Sequence, residues 1–134
     1  MTDALAQAAK PPLATLEITV EHLRSDKGTV ALLLCPADSG FPNCQDHAVR
    51  KVHLVIARGR AQVRFTDLAP GNYAIAAFHD ANSNQRLDTF LGIPREGYGF
   101  SGNPAFKPRA PRFSECAFGL SGAGKQTIAM RYMF

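Results

Sequence analysis

Asp67–Asp80, DLAPGNYAIAAFHD, is the stretch whose reading decides the fold. Pro70 and Gly71 bend the chain, because proline presets the first corner of a turn and glycine tolerates the second. Tyr73–Phe78, YAIAAF, then runs on without a charge. A short apolar run behind such a turn reads as a strand.

Similar stretches lie on both sides. Leu16–Leu23, LEITVEHL, alternates Leu, Ile and Val around Glu17 and Thr19, the pattern of a strand with one buried face. Ser25–Gly28 reads as a hairpin-like turn. Thr29–Cys35, TVALLLC, is almost continuously apolar and reads as a central strand. Pro36–Asp46 is a loop punctuated by Gly40 and Pro42. Lys51–Ala57 alternates Val52, Leu54 and Ile56 against Lys51, His53 and Val55. Gly59 turns the chain into Ala61–Phe65. Glu115–Leu120 and Gln126–Phe134 read as the last two strands, joined by a glycine turn at Ser121–Gly124. Helical periodicity is almost absent. The expected fold is all-β, a seven-stranded antiparallel sandwich with one long loop from His79 to about Ser114. Loops beyond about 15 residues in compact domains are usually functional or disordered, and the aromatics in this one argue for order.

With 134 residues the chain fits one domain. We expect a flexible tail at 1–14 and the β-sandwich domain at 15–134. The net charge is +4, but no run of Lys and Arg makes a nucleic-acid footprint. No apolar run approaches the ~20 residues of a transmembrane segment. Ala4, Ala6, Ala8 and Ala9 resemble the small-residue end of a secretory signal, without its charged and apolar parts.

Chemistry concentrates in His79–Ser101, HDANSNQRLDTFLGIPREGYGFS. Asp80, Asn82, Asn84 and Asp88 stand where a calcium loop has its places 1, 3, 5 and 9, with the Arg86 carbonyl at place 7. Gln85 stands in for the turn glycine and Leu91 for the closing Glu, so Glu96 would have to complete the shell. The alternative is an Asx-rich turn whose side chains cap backbone amides. Either way Asp80 and Asp88 anchor the loop. His79, Glu96, Tyr98 and Phe100 are the candidate ligand-binding residues. A small hydrolase or isomerase using His79, Asp80 and Glu96 is the rival to a non-enzymatic module. Paired carboxylates of Glu96 with Asp80 or Asp88 would be its acid and base, although Arg95 beside Glu96 suggests a plain ion pair.

Other motifs fail on inspection. Gly119–Lys125, GLSGAGK, lacks the hydroxyl residue after Lys125 and the helix that a phosphate loop needs, and reads as a hairpin turn. Gly99–Asn103 has Asn103 where a nucleophile elbow has Gly, so Ser101 reads as a turn serine. His22, His47 and His53 have no spaced partner and read as surface residues. Cys35 and Cys44 bracket PADSGFPN, a poor zinc pattern. They form a small disulfide loop in an oxidising compartment or stand as two thiols. Cys116 reads as a buried thiol.

Three motifs stand together: DLAPGNYAIAAFHD, NSNQRLDTFLGIPREGYGFS and the ending IAMRYMF. In this the chain resembles a bacterial family of exported domains, domain of unknown function 2141, from about Leu16 to Phe134. The resemblance implies a periplasmic or secreted location and a small immunoglobulin- or transthyretin-like sandwich. It implies no established activity or catalytic residue; the cofactor expected, if any, is calcium at the Asp80–Asp88 turn. In such a location Cys35 and Cys44 are expected to be bonded. The expected partner is a glycan or a cell-envelope protein.

Overall fold

The computed structural model describes residues 12–81, 89–90, 93–94, 97–105, 107 and 109–132. Its elements are β1 (Ala14–Glu21), β2 (Thr29–Pro36), β3 (Arg50–Val55), β4 (Ala61–Leu68), β5 (Gly71–Asp80), β6 (Thr89–Phe90), β7 (Ile93–Pro94), β8 (Tyr98–Phe100), α1 (Phe113–Cys116), β9 (Phe118–Leu120) and β10 (Ala123–Ala129). The all-β expectation is borne out. The expected tail lies, up to residue 11, outside the described residues, and Ala14 already belongs to β1 and is buried.

Two main sheets share one core. One has the order β10-β1-β4, and the other β3-β2-β5-β8 with β9 also paired to β5. Alternation sends Leu16, Ile18 and Val20 of β1 inward, to meet Val30, Leu32 and Leu34 of β2 and Tyr73, Ile75 and Ala77 of β5. Ile128, Phe65 and Leu68 complete this cluster. The run Thr29–Cys35 is central, as its composition requires, with β3 and β5 on either side.

The connections depart from the sequence reading. Ser25–Gly28 does not join a hairpin, because β1 and β2 lie in different sheets. Gly28 instead lets this crossing pass against the end of β5. Its φ is +70°, and a Cβ there would collide with the Asp80 carbonyl oxygen and lie 2.8 Å from Ala81 Cα. The turn at Ser121–Gly124 likewise joins no hairpin, since β9 pairs with β5 and β10 with β1. The pairing of β1 with β10 is parallel, from Thr15↔Ala123 to Glu21↔Ala129. An entirely antiparallel arrangement is therefore corrected; strand direction leaves no trace in the alternation of side chains.

The stretch expected as one loop contains β6, β7 and β8. β8 is a true sheet strand, with Phe78↔Tyr98 and Ala76↔Phe100 in register. Tyr98 also exchanges two backbone hydrogen bonds with Arg131, which ties the two sheets together along that flank. Gly99 faces inward there, where a Cβ would stand 2.6 Å from Ile128 Cγ2. Glu115, expected in a strand, sits in the one-turn helix α1, and only Phe118–Leu120 is strand. Its carboxylate accepts the Arg112 amide at 2.8 Å, the Arg109 guanidinium at 2.9 and 3.1 Å and the Lys107 ammonium at 3.0 Å. Four donors on one half-buried carboxylate hold that corner in a turn.

Candidate functional site

β5 ends in His79 and Asp80, and alternation sends their side chains to opposite faces of the sheet. His79 lies on the core side, 2% exposed. Its Nε2 is 2.7 Å from the Lys27 carbonyl and its Nδ1 is 2.9 Å from the Tyr132 hydroxyl. A carbonyl only accepts, so Nε2 carries the proton and the tyrosine hydroxyl donates to Nδ1. Tyr132 in turn accepts the Arg24 amide at 3.1 Å, and the Arg24 guanidinium lies 4.3 Å from its ring centroid. Burial pushes the Tyr132 hydroxyl toward its protonated form, against the pull of Arg24. Both ring nitrogens are therefore engaged inside the fold. Asp80 is wholly buried on the other face, opposite Thr29 of β2.

That other face is the outer face of the five-stranded sheet, where the register lays down two rows. One runs His53, Ala31, Phe78, Tyr98; the next runs Lys51, Leu33, Ala76, Phe100. The Pro36–Val49 connection folds back over part of this face. It is tied by a disulfide between Cys35 and Cys44, whose Cα atoms are 6.0 Å apart. Cys44 packs with Leu33, Cys35, Phe41 and Ala48 in a second small cluster. The Phe41 ring meets Phe100 edge-on at 5.9 Å and Phe113 at 6.1 Å, and Tyr98 lies 5.9 Å from Phe100. Apolar residues on both faces of the sheet explain why β2 reads as unbroken hydrophobicity.

Between the tied loop and Phe78 a groove of about 270 Å³ opens. Ala31 and Leu33 lie on its floor by their place in the sheet, and Gln45, Lys51, His53 and Phe78 line it with them. The His53 Nδ1 stands 3.4 Å from the Thr29 hydroxyl. Tyr98, the next residue along the row from Phe78, is 9% exposed, and its hydroxyl is buried with no hydrogen-bond partner among the described residues. Burial holds that phenol above its ordinary range, with Arg131 opposing.

The expected site residues therefore divide. Tyr98 and Phe100 lie on the outer face, and His79 lies behind it. Asn82, Asn84, Arg86, Asp88 and Glu96 lie outside the described residues, so the calcium set is represented by Asp80 alone. Among the described residues no three His, Cys, Asp or Glu side chains gather as a metal site. Gln45, Lys51, His53 and Phe78 were not singled out as ligand-binding. Their signal was slight: Lys51 and His53 occupy the polar phase of an alternating strand, and Ala31 is the one small residue inside TVALLLC.

Ser101 follows β8 and is completely buried. Its hydroxyl accepts the Ile75 amide at 2.8 Å and donates to the Cys116 carbonyl at 2.7 Å. The turn serine is thus an internal fastener between β5 and α1. Cys116 is a buried free thiol, pushed by desolvation up to about 11.

Fold and site together define an all-β domain of two sheets around one core, with an internal disulfide and an aromatic outer face. A family profile described as an uncharacterized protein conserved in bacteria matches residues 18–129. The chain belongs to that family, domain of unknown function 2141. The comparisons with curated proteins and with solved structures found no match. Among the described residues no helix is long and apolar enough to cross a membrane.

Proposed function

We propose that this chain is an exported, non-catalytic binding module, an immunoglobulin- or transthyretin-like sandwich that takes a small ligand on the outer face of its five-stranded sheet. The groove beside Phe78 is the observation that carries this reading. A concave site with an apolar floor and a few polar groups at its rim is the usual form of a small-molecule site. The Cys35–Cys44 bond supports export, because such bonds persist in oxidising compartments. It also fixes one wall of the groove. Against the enzyme reading, both nitrogens of His79 are engaged by Tyr132 and Lys27, and Asp80 lies on the opposite face of the sheet from His79.

A nitrogen-15 amide NMR screen of the disulfide-bonded protein against a library of small metabolites and oligosaccharides tests this function. Binders are expected to shift the amides of Ala31, Leu33, Lys51 and Phe78 together. Binders that shift only amides around His79, Arg24 and Tyr132 would overturn the assignment of the face.

A further inference from the structure

We infer that the groove selects a small monocarboxylate with a flat apolar body, an inference that rests on the binding function proposed above. The charge of the chain points the same way as the lining. Residues 47–66 contain Arg50, Lys51, Arg58, Arg60 and Arg64 and no Asp or Glu, so this segment alone exceeds the net charge of +4. The fold places it on one flank, where the edge strands β3 and β4 adjoin and the Arg50 guanidinium reaches the Val49 carbonyl at 3.0 Å and the Thr66 carbonyl at 3.1 Å. Arg60 is partly offset by Glu21 at 3.6 Å. Lys51 forms no ion pair with a carboxylate among the described residues, and it alone of the five basic residues lines the groove.

The donors available at the rim are one ammonium, from Lys51, with the Gln45 amide and the His53 ring beside it. That set matches one negative charge spread over two oxygens. A phosphate dianion is usually met by a guanidinium fork or a cluster of free backbone amides. Here β2 is central, with its ladder bonds taken by β3 and β5. The nearest carboxylates are Asp80, one row further on and wholly buried, and Asp46, which follows Gln45 on the exposed loop. Below the rim lie Ala31 and Leu33, both largely buried, with Phe78 beside them. The volume of about 270 Å³ lies just under the usual range for drug-sized ligands, which suits a body of one ring.

The test titrates the full disulfide-bonded chain with 3-phenylpropionate, neutral 3-phenylpropionamide and phenyl phosphate, followed by amide NMR. The carboxylate is expected to shift Ala31, Leu33, Lys51 and His53 and to bind roughly 10-fold more tightly than the amide, the worth of one charge-assisted contact. Lys51→Met, a change at an exposed position, is expected to remove that difference. Equal affinity for acid and amide at these residues would overturn the carboxylate class and leave the binding face standing. Tighter binding of phenyl phosphate would overturn it in favour of a phosphate ester. Failure of all three probes to shift the groove amides would sink both the class and the face.

Discussion

Tyr132 donates its hydroxyl hydrogen to His79 Nδ1 over 2.9 Å, although 53 positions separate the two residues. The pair fastens the end of β5 to the segment that follows β10. Tyr132→Phe would leave the buried Nδ1 of His79 without its partner. A buried group left unsatisfied costs about 1–3 kcal/mol. Urea unfolding of this variant should show a lower midpoint with an unchanged slope, and an unchanged midpoint would refute the role given to the pair.

Ser101→Ala should be costly for a residue that the sequence presents as an ordinary turn serine. The change strands the Ile75 amide and the Cys116 carbonyl in a buried place. The expected loss is about 1–3 kcal/mol, read by chemical denaturation. Ser101→Thr keeps the hydroxyl but adds a methyl group to a fully buried site, so it should not restore full stability.

Thiol counting on the denatured, unreduced protein should find one free thiol, Cys116; three would refute the Cys35–Cys44 bond. Reducing that bond should lower stability by ~2–3 kcal/mol, the value expected for closing so short a loop. In the native protein Cys116 should resist alkylation at neutral pH, because burial raises its thiol from 9.0 to about 11. The sign of the pH effect follows from that direction. Below the unfolded value both states keep the proton and the thiol's contribution is full. Between about 9 and 11 the unfolded chain deprotonates first and the contribution is lost. Stability should therefore decline through that window, less steeply in Cys116→Ala.

Asp80 stands at the start of the segment with the calcium-like spacing and is wholly buried at the end of β5. The Asx-turn reading predicts a melting temperature indifferent to millimolar calcium and to chelator. A rise with calcium that chelator reverses would establish an ion at this turn. Asp80→Ala should destabilise under both readings, so the titration and not the mutant decides.

Much of the fold was legible because burial imposes a period on each strand. LEITVEHL and TVALLLC announced β1 and β2, and the run of Leu in β2 announced a strand covered on both faces. The connections were not legible, since Ser25–Gly28 and Ser121–Gly124 carry hairpin residues yet cross between sheets. α1 was missed for a related reason. Cys116, Phe118 and Leu120 alternate as a strand would, while the donors that hold Glu115 come from Lys107, Arg109 and Arg112, outside that window. At the site, His79 and Asp80 look like a pair because they are adjacent, and adjacency within a strand is what separates them. The groove was hidden because its residues come from β2, β3, β5 and the tied loop, which only the register brings together.

The parallel seam between β1 and β10 sets an order of events in the making of the molecule. β1 pairs with β10 from Thr15↔Ala123 to Glu21↔Ala129, although most of the domain's sequence lies between them. Until residue 129 is free, one edge of β1 has no occupant and the core lacks Ile128 and Met130. Pairings this distant in sequence form slowly, because a long loop must close before any contact rewards it. The core therefore closes only after Ile128 and Met130 have joined it, and the seam between β1 and β10 is among the last parts of the fold that can form.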